Sequence, residues 1–215
     1  MKKVLPEVLR LYLVTDQASL RGRTLTDVLL AAVQGGVSCV QLREKTLGTH
    51  DFVALALAVK DLLAPFDVPL IINDRLDVAL ACGAQGVHLG QSDMPVALAR
   101  QRLPPGVFIG LSVENLGDVA RAAGQAVDYL GISPVYATPT KTDTATPWGL
   151  AGVRQVRAMT GLPLVAIGGI HPGNATELLQ AGADGLAVVS AICSAANPQA
   201  AAAAFQDILR AHQTP

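Results

Sequence analysis

The chain has 215 residues, 51% of them hydrophobic, which suits one domain with a sizeable core and argues against disorder. Lys and Arg number 16 against 17 Asp and Glu, a formal net charge of -1, so no global basic field exists to hold nucleic acid or an anionic membrane, and any anion site must be local. The three cysteines, Cys39, Cys82 and Cys193, lie far apart without metal-ligand spacing, the pattern of reduced core thiols in a cytosolic protein. Met1-Lys2-Lys3 leads into Pro6, Glu7 and Arg10 rather than the apolar run of a signal peptide, and no apolar stretch approaches the roughly 20 residues of a membrane helix. The expectation is a soluble, cytoplasmic, single-domain protein over residues 1–215, with a homo-oligomer left open.

Taken in chain order, short apolar runs stand at 11–14, 37–42, 68–72, 86–89, 107–111, 127–132, 164–167 and 186–189. Segments of helical period lie between them, which is how a parallel sheet covered by helices reads. After the first run, Thr24 and Thr26 offer caps, and Leu25, Val28, Leu29 and Ala32 recur at helical spacing before Gly35-Gly36, a stop signal. The next helix repeats that logic in Phe52, Leu55, Val59 and Leu62, and residues 198–215 read as a final helix with Phe205, Ile208 and Leu209 on one face. Gly36, Gly83, Gly124 and Gly182 precede the even-numbered runs, where a left-handed residue ending each helix is the plainest reading. Eight units at about 27 residues each point to a single α/β domain, a closed (β/α)8 TIM barrel. An open doubly wound sheet is less consistent, because Thr15-Asp16-Gln17 follows the first run in place of a glycine-rich dinucleotide turn.

Active sites of such barrels sit at the C-terminal strand ends, and the polar residues cluster there. Alternation through Gln41-Leu42-Arg43-Glu44-Lys45 sends Gln41, Arg43 and Lys45 to one side, toward the mouth. The two cations suit a phosphate or, equally, a structural ion-pair layer. Asp74 and Asp93 fall after neighbouring runs, placed to share an Mg²⁺ that completes its shell with water and phosphate oxygens. The plainer alternatives are a helix cap for Asp93 and a salt bridge to Arg75 or Arg43 for Asp74. His88 lies inside a strand-like run and reads as a hydrogen-bonded core residue. Residues 133–148 form a long loop without helical period, in which Thr138, Thr140 and Lys141 supply hydroxyls and an ammonium. Gly168-Gly169 and Ser190 fall where barrels of this kind bind phosphate, after the seventh and eighth strands.

Across nearly its whole length the sequence resembles the thiamine phosphate synthase family. The resemblance rests on Leu11-Tyr12-Leu13-Val14-Thr15-Asp16, the run Gln41 to Lys45, Asn73-Asp74, Gly86-Val87-His88-Leu89-Gly90-Gln91 with Asp93, Gly110-Leu111-Ser112, Thr138-Pro139-Thr140-Lys141, Ile167-Gly168-Gly169-Ile170 and Val189-Ser190-Ala191-Ile192. It implies a transferase that joins hydroxymethylpyrimidine diphosphate to hydroxyethylthiazole phosphate, the carboxylated thiazole being left open, with Mg²⁺ as cofactor. On that resemblance the run Gln41, Leu42, Arg43, Glu44, Lys45 with Asn73 holds the pyrimidine diphosphate. Asp74 and Asp93 bind Mg²⁺, and Ser112 positions the pyrimidine. Thr138, Pro139, Thr140, Gly169, Val189 and Ser190 bind the thiazole phosphate, and Lys141 faces the diphosphate. Lys141, Arg43 and Ser112 are the expected catalytic set. Glu114 stands where many relatives carry His. A thiazole tautomerase paralogue or a non-catalytic sensor of thiamine precursors on the same scaffold is the alternative, and Asp74 together with Lys141 argues against both.

Overall fold

The computed structural model describes residues 5–138 and 146–213. Eight parallel strands, β1 (Leu11–Val14), β2 (Cys39–Leu42), β3 (Leu70–Asn73), β4 (Gly86–Leu89), β5 (Phe108–Val113), β6 (Tyr129–Ile132), β7 (Leu164–Ile167) and β8 (Gly185–Val188), hydrogen-bond in sequence order and close, β8 pairing with β1. The expected eight runs are thus the eight strands of a TIM barrel. Where boundaries shift they do so by one or two residues: β3 runs on to Asn73, β5 carries Ser112 within it, and β8 ends before Val189.

Helix α1 (Leu5–Val8) leads into β1, and the other helices cover the outside: α2 (Leu25–Gln34), α3 (Thr49–Leu63), α4 (Leu76–Cys82), α5 (Val96–Arg102), α6 (Leu116–Ala122), α7 (Gly149–Met159), α8 (Pro172–Gln180), α9 (Ser190–Cys193) and α10 (Pro198–Gln213). Because strand side chains alternate, each strand feeds two cores. Leu11, Leu13, Val40, Leu42, Ile72, Val87, Leu89, Leu111, Leu130 and Leu186 pack outward against the helices. Tyr12, Val14, Cys39, Ile71, Tyr129, Val165 and Ala187 point inward. The inner core is floored by Val8 and Leu9, both buried. The short helix α1 that brings them there has no sequence signal longer than one turn.

Left-handed backbone occurs at Gly36 (φ 102°), Gly83 (φ 60°) and Gly182 (φ 107°), as expected of the residues that end α2, α4 and α8. Gly124 departs from the pattern, since its φ is not positive. The final helix α10 packs on α2 and α8 with Phe205 and Leu209 buried.

Candidate active site

The C-terminal strand ends enclose a cavity of about 500 Å³. From β2, alternation delivers Gln41, Arg43 and Lys45 to its wall. Leu42 and Glu44 are turned away and do not line it. Leu42 is buried against the helix layer. The carboxylate of Glu44 accepts hydrogen bonds from the Lys45 and Thr46 backbone amides (2.7 and 2.9 Å) and from Thr46 Oγ1 (2.9 Å). Partial burial works against its charge, but those bonds win and hold its pKa below the ordinary value. Glu44 thus shapes the turn that carries Lys45.

Arg43 Nη1 lies 3.3 Å from Asp16 Oδ1, and Lys45 Nζ lies 2.6 Å from Asp74 Oδ2. Asp74 therefore pairs with Lys45, and not with Arg43 or with Arg75, which engages Asp77 at 2.5 Å. Asp74 also sits in the left-handed region at φ 62°, a conformation that Asp tolerates better than most residues and that tends to mark functional turns. Beside it, Asp93 accepts from the Gly90 amide at 2.6 Å. The alternative reading of Asp93 as a helix cap is not what the structure has, because α5 starts after Pro95 with no side-chain cap bond.

Burial raises the pKa of Asp93, and the neighbouring Asp74 carboxyl raises it further, against the opposing Gly90 bond. For Asp74, burial is outweighed by the Lys45 bond and by Asp93, so its pKa falls below the usual value. Two adjacent carboxyls, one of which resists ionisation, form a donor set that a cation would relieve. Among the described residues no group of three or more His, Cys, Asp or Glu converges as a full shell. Two carboxylates beside Lys and Arg fit Mg²⁺, which takes few protein ligands and fills the rest with water and phosphate oxygens.

Asn73, Ser112, Thr138, Gly169, Val189 and Ser190 also line the cavity. Gly168 and Gly169 adopt φ 104° and 64°, and a Cβ on them would come within 2.9 Å of Pro134 Cβ and 2.8 Å of Tyr136 Cβ respectively. The loop after β6 crosses this turn, pinned by Val135 and Tyr136 amides donating to the Ile167 and Gly168 carbonyls (2.8 and 3.1 Å). Helix α9 begins at Ser190 on the cavity wall. Its far end is clamped by Arg23, whose guanidinium donates to the Cys193 and Ala195 carbonyls at 2.6 and 2.8 Å. Pro139, Thr140 and Lys141 lie outside the described residues.

Several lining residues go beyond the expected set: Tyr12, His88, Gln91, Ser92, Glu114, Tyr129 and Ser133. His88 is the important one. Its Nδ1 lies 2.9 Å from Tyr129 Oη and its Nε2 lies 2.9 Å from Ser112 Oγ. Tyr129 Oη in turn meets Tyr12 Oη at 2.9 Å, and Gln41 Nε2 donates to Tyr12 Oη at 2.8 Å. The expected hydrogen-bonded core histidine is thus hydrogen-bonded, but it also stands on the cavity wall. The sequence signal for this is in its neighbours. Gly110 and Gly131 interrupt adjacent strands, and glycine inside a strand marks a close approach. A Cβ on Gly110 would sit 2.5 Å from His88 Nδ1, and one on Gly131 would sit 2.9 Å from His88 Cε1.

Comparison with known proteins fits this geometry. The family model described as thiamine monophosphate synthase matches residues 11–192. The chain belongs to the thiamine monophosphate synthase family. A thiamine-phosphate synthase of Albidiferax ferrireducens is 70% identical over 205 residues, covering 95% of this chain and 94% of that protein. One from Vibrio campbellii is 50% identical over 202 residues, covering 94% and 98%. The solved thiamine phosphate pyrophosphorylase of Pyrococcus furiosus superposes with a TM-score of 0.88 at 33% identity, over 98% of this chain and all of its own. The matched span takes in the whole cavity wall, from Tyr12 on β1 to Ser190 at the start of α9.

Proposed function

We propose that the chain joins 4-amino-2-methyl-5-hydroxymethylpyrimidine diphosphate to 4-methyl-5-(2-hydroxyethyl)thiazole phosphate, forming thiamine phosphate and releasing diphosphate. One observation carries this reading: a single cavity has Arg43, Lys45, Asp74 and Asp93 on one wall and the glycine turn Gly168-Gly169 with Ser190 on the other. Two anions can therefore be held with their rings between them.

In the reaction the bond from the methylene carbon to diphosphate oxygen breaks, its electron pair leaving with diphosphate. The thiazole nitrogen lone pair forms the new C–N bond. The aminopyrimidine ring itself spreads the positive charge on the methylene carbon, so no protein base has to act. Arg43 and Lys45 bind the departing charge, and Lys141 of the loop after β6 joins them. Ser112 and Asn73 orient the pyrimidine, while Thr138, Gly169, Val189 and Ser190 hold the thiazole phosphate. Asp74 and Asp93 would hold Mg²⁺, which supplies further charge neutralisation on the diphosphate. Catalysis then consists of electrostatic stabilisation and of holding two rings in reach of each other.

The test is chromatographic detection of thiamine phosphate from the two substrates, with Mg²⁺ and with the metal chelated. Metal-dependent product supports the reading. No product from folded protein would overturn it and leave a tautomerase or a precursor-binding protein.

A further inference from the structure

We infer that His88 is a positioning residue for this reaction, which fixes the Ser112 hydroxyl as a hydrogen-bond donor aimed into the cavity. The inference rests on the proposed reaction and names a residue to which that reaction assigns no task. It starts from the chain Gln41, Tyr12, Tyr129, His88, Ser112, in which every link measures 2.8 or 2.9 Å.

The chain has a direction. An amide nitrogen only donates, so Gln41 Nε2 makes Tyr12 Oη an acceptor. Both phenols are fully buried, and burial pushes their pKa values well above the ordinary one, so each keeps one proton to give. The Tyr12 proton goes to Tyr129 Oη, the partner it faces. The Tyr129 proton then goes to His88 Nδ1. With Nδ1 accepting, a neutral imidazole carries its hydrogen on Nε2 and donates it to Ser112 Oγ. The Ser112 hydroxyl proton is left over, and Ser112 lines the cavity. It therefore offers a proton to a ligand acceptor, such as a ring nitrogen of an aminopyrimidine.

The surroundings are built to keep this order. Gly110 and Gly131 give up their side-chain space to the His88 and Tyr129 rings, whose centroids lie 5.5 Å apart. The Gln91 side chain donates to the Ser112 carbonyl at 2.6 Å, which steadies the same residue from the rim.

Two measurements test it. The first is the ¹⁵N resonance pattern of histidine-labelled protein at neutral pH, assigned among the 4 histidines with His88→Gln. A neutral ring with hydrogen on Nε2 is expected, and hydrogen on Nδ1 or a doubly protonated ring would overturn the direction. The second is a kinetic cycle of His88→Leu, Ser112→Ala and the double variant. His88→Leu should lower kcat/KM for the pyrimidine diphosphate by roughly 10- to 100-fold, leave the thiazole phosphate KM within about twofold, and be partly rescued in His88→Gln, whose amide reaches the Nε2 position. In the Ser112→Ala background the same change should cost less than about threefold. Losses that multiply in the double variant mean a structural role and overturn the inference. Should His88→Leu not fold, Tyr129→Phe enters the same cycle and is judged by the same outcomes. Wild-type protein that makes no thiamine phosphate would instead bring down the parent reading, so the two failures are distinguishable.

Discussion

Replacing Gly110 with alanine would put a methyl group where two rings already sit. The added Cβ would lie 2.1 Å from Tyr129 Cζ, 2.3 Å from its Oη and 2.5 Å from His88 Nδ1. Carbon atoms in contact prefer about 3.5–4.0 Å, so the overlap exceeds about 1 Å at more than one atom. Tyr129 has nowhere to go: it is fully buried, with ring centroids 6.1 Å from Tyr12 and 6.5 Å from Phe108. Overpacking of this kind costs about 1–3 kcal/mol, and a rigid buried site belongs at the top of that range. For a chain of this size about 3 kcal/mol lowers Tm by roughly 6–12 °C. Scanning calorimetry of Gly110→Ala beside Gly124→Ala provides the comparison, because a Cβ on Gly124 meets nothing within 4 Å and its φ is not positive. Gly124→Ala should match wild type or gain slightly. A Gly110→Ala protein as stable as Gly124→Ala would refute the close packing of His88 and Tyr129 over β5.

Asp93→Asn should raise the Tm of metal-free protein at neutral pH while lowering Mg²⁺-dependent product formation. The sign follows from the raised pKa: ionised Asp93 disfavours the fold above its folded-state pKa, and the penalty vanishes once the carboxyl is protonated below its unfolded value. The gain in Tm should therefore disappear at about pH 3, and a lower Tm at neutral pH would contradict the like-charge account. Cys193, pushed by burial up to about 11, presents about one thiolate in a thousand at pH 8. With Cys39 and Cys82 also buried, a disulfide-exchange reagent should titrate no thiol in native protein and all three after denaturation. Arg23→Met should loosen the clamp on α9 and raise the thiazole phosphate KM roughly tenfold without touching the pyrimidine diphosphate KM. An equal rise in both would assign Arg23 to general stability.

The barrel is legible in the sequence because apolar runs and helical spacing report on local structure and on the outer core that strands and helices share. Alternation alone turns Arg43 and Lys45, just after β2, to the cavity wall and Leu42 and Glu44 away from it. It also argues against counting Leu42 and Glu44 among the cavity residues, although they lie inside the motif. Partners across strands are harder. Nothing in the order of residues says that Asp74 meets Lys45 rather than Arg75, since that choice depends on the left-handed turn at Asp74 and on where the β2 loop folds back. His88, taken from its own strand alone, looks like core, whereas its role is written in glycines 22 and 43 positions further on, visible only once β4, β5 and β6 stand side by side.

Val8 and Leu9 close the lower end of the barrel, so among the described residues the cavity opens at the rim of the C-terminal strand ends. Under the proposed reaction both substrates enter, and diphosphate and thiamine phosphate leave, across that same rim.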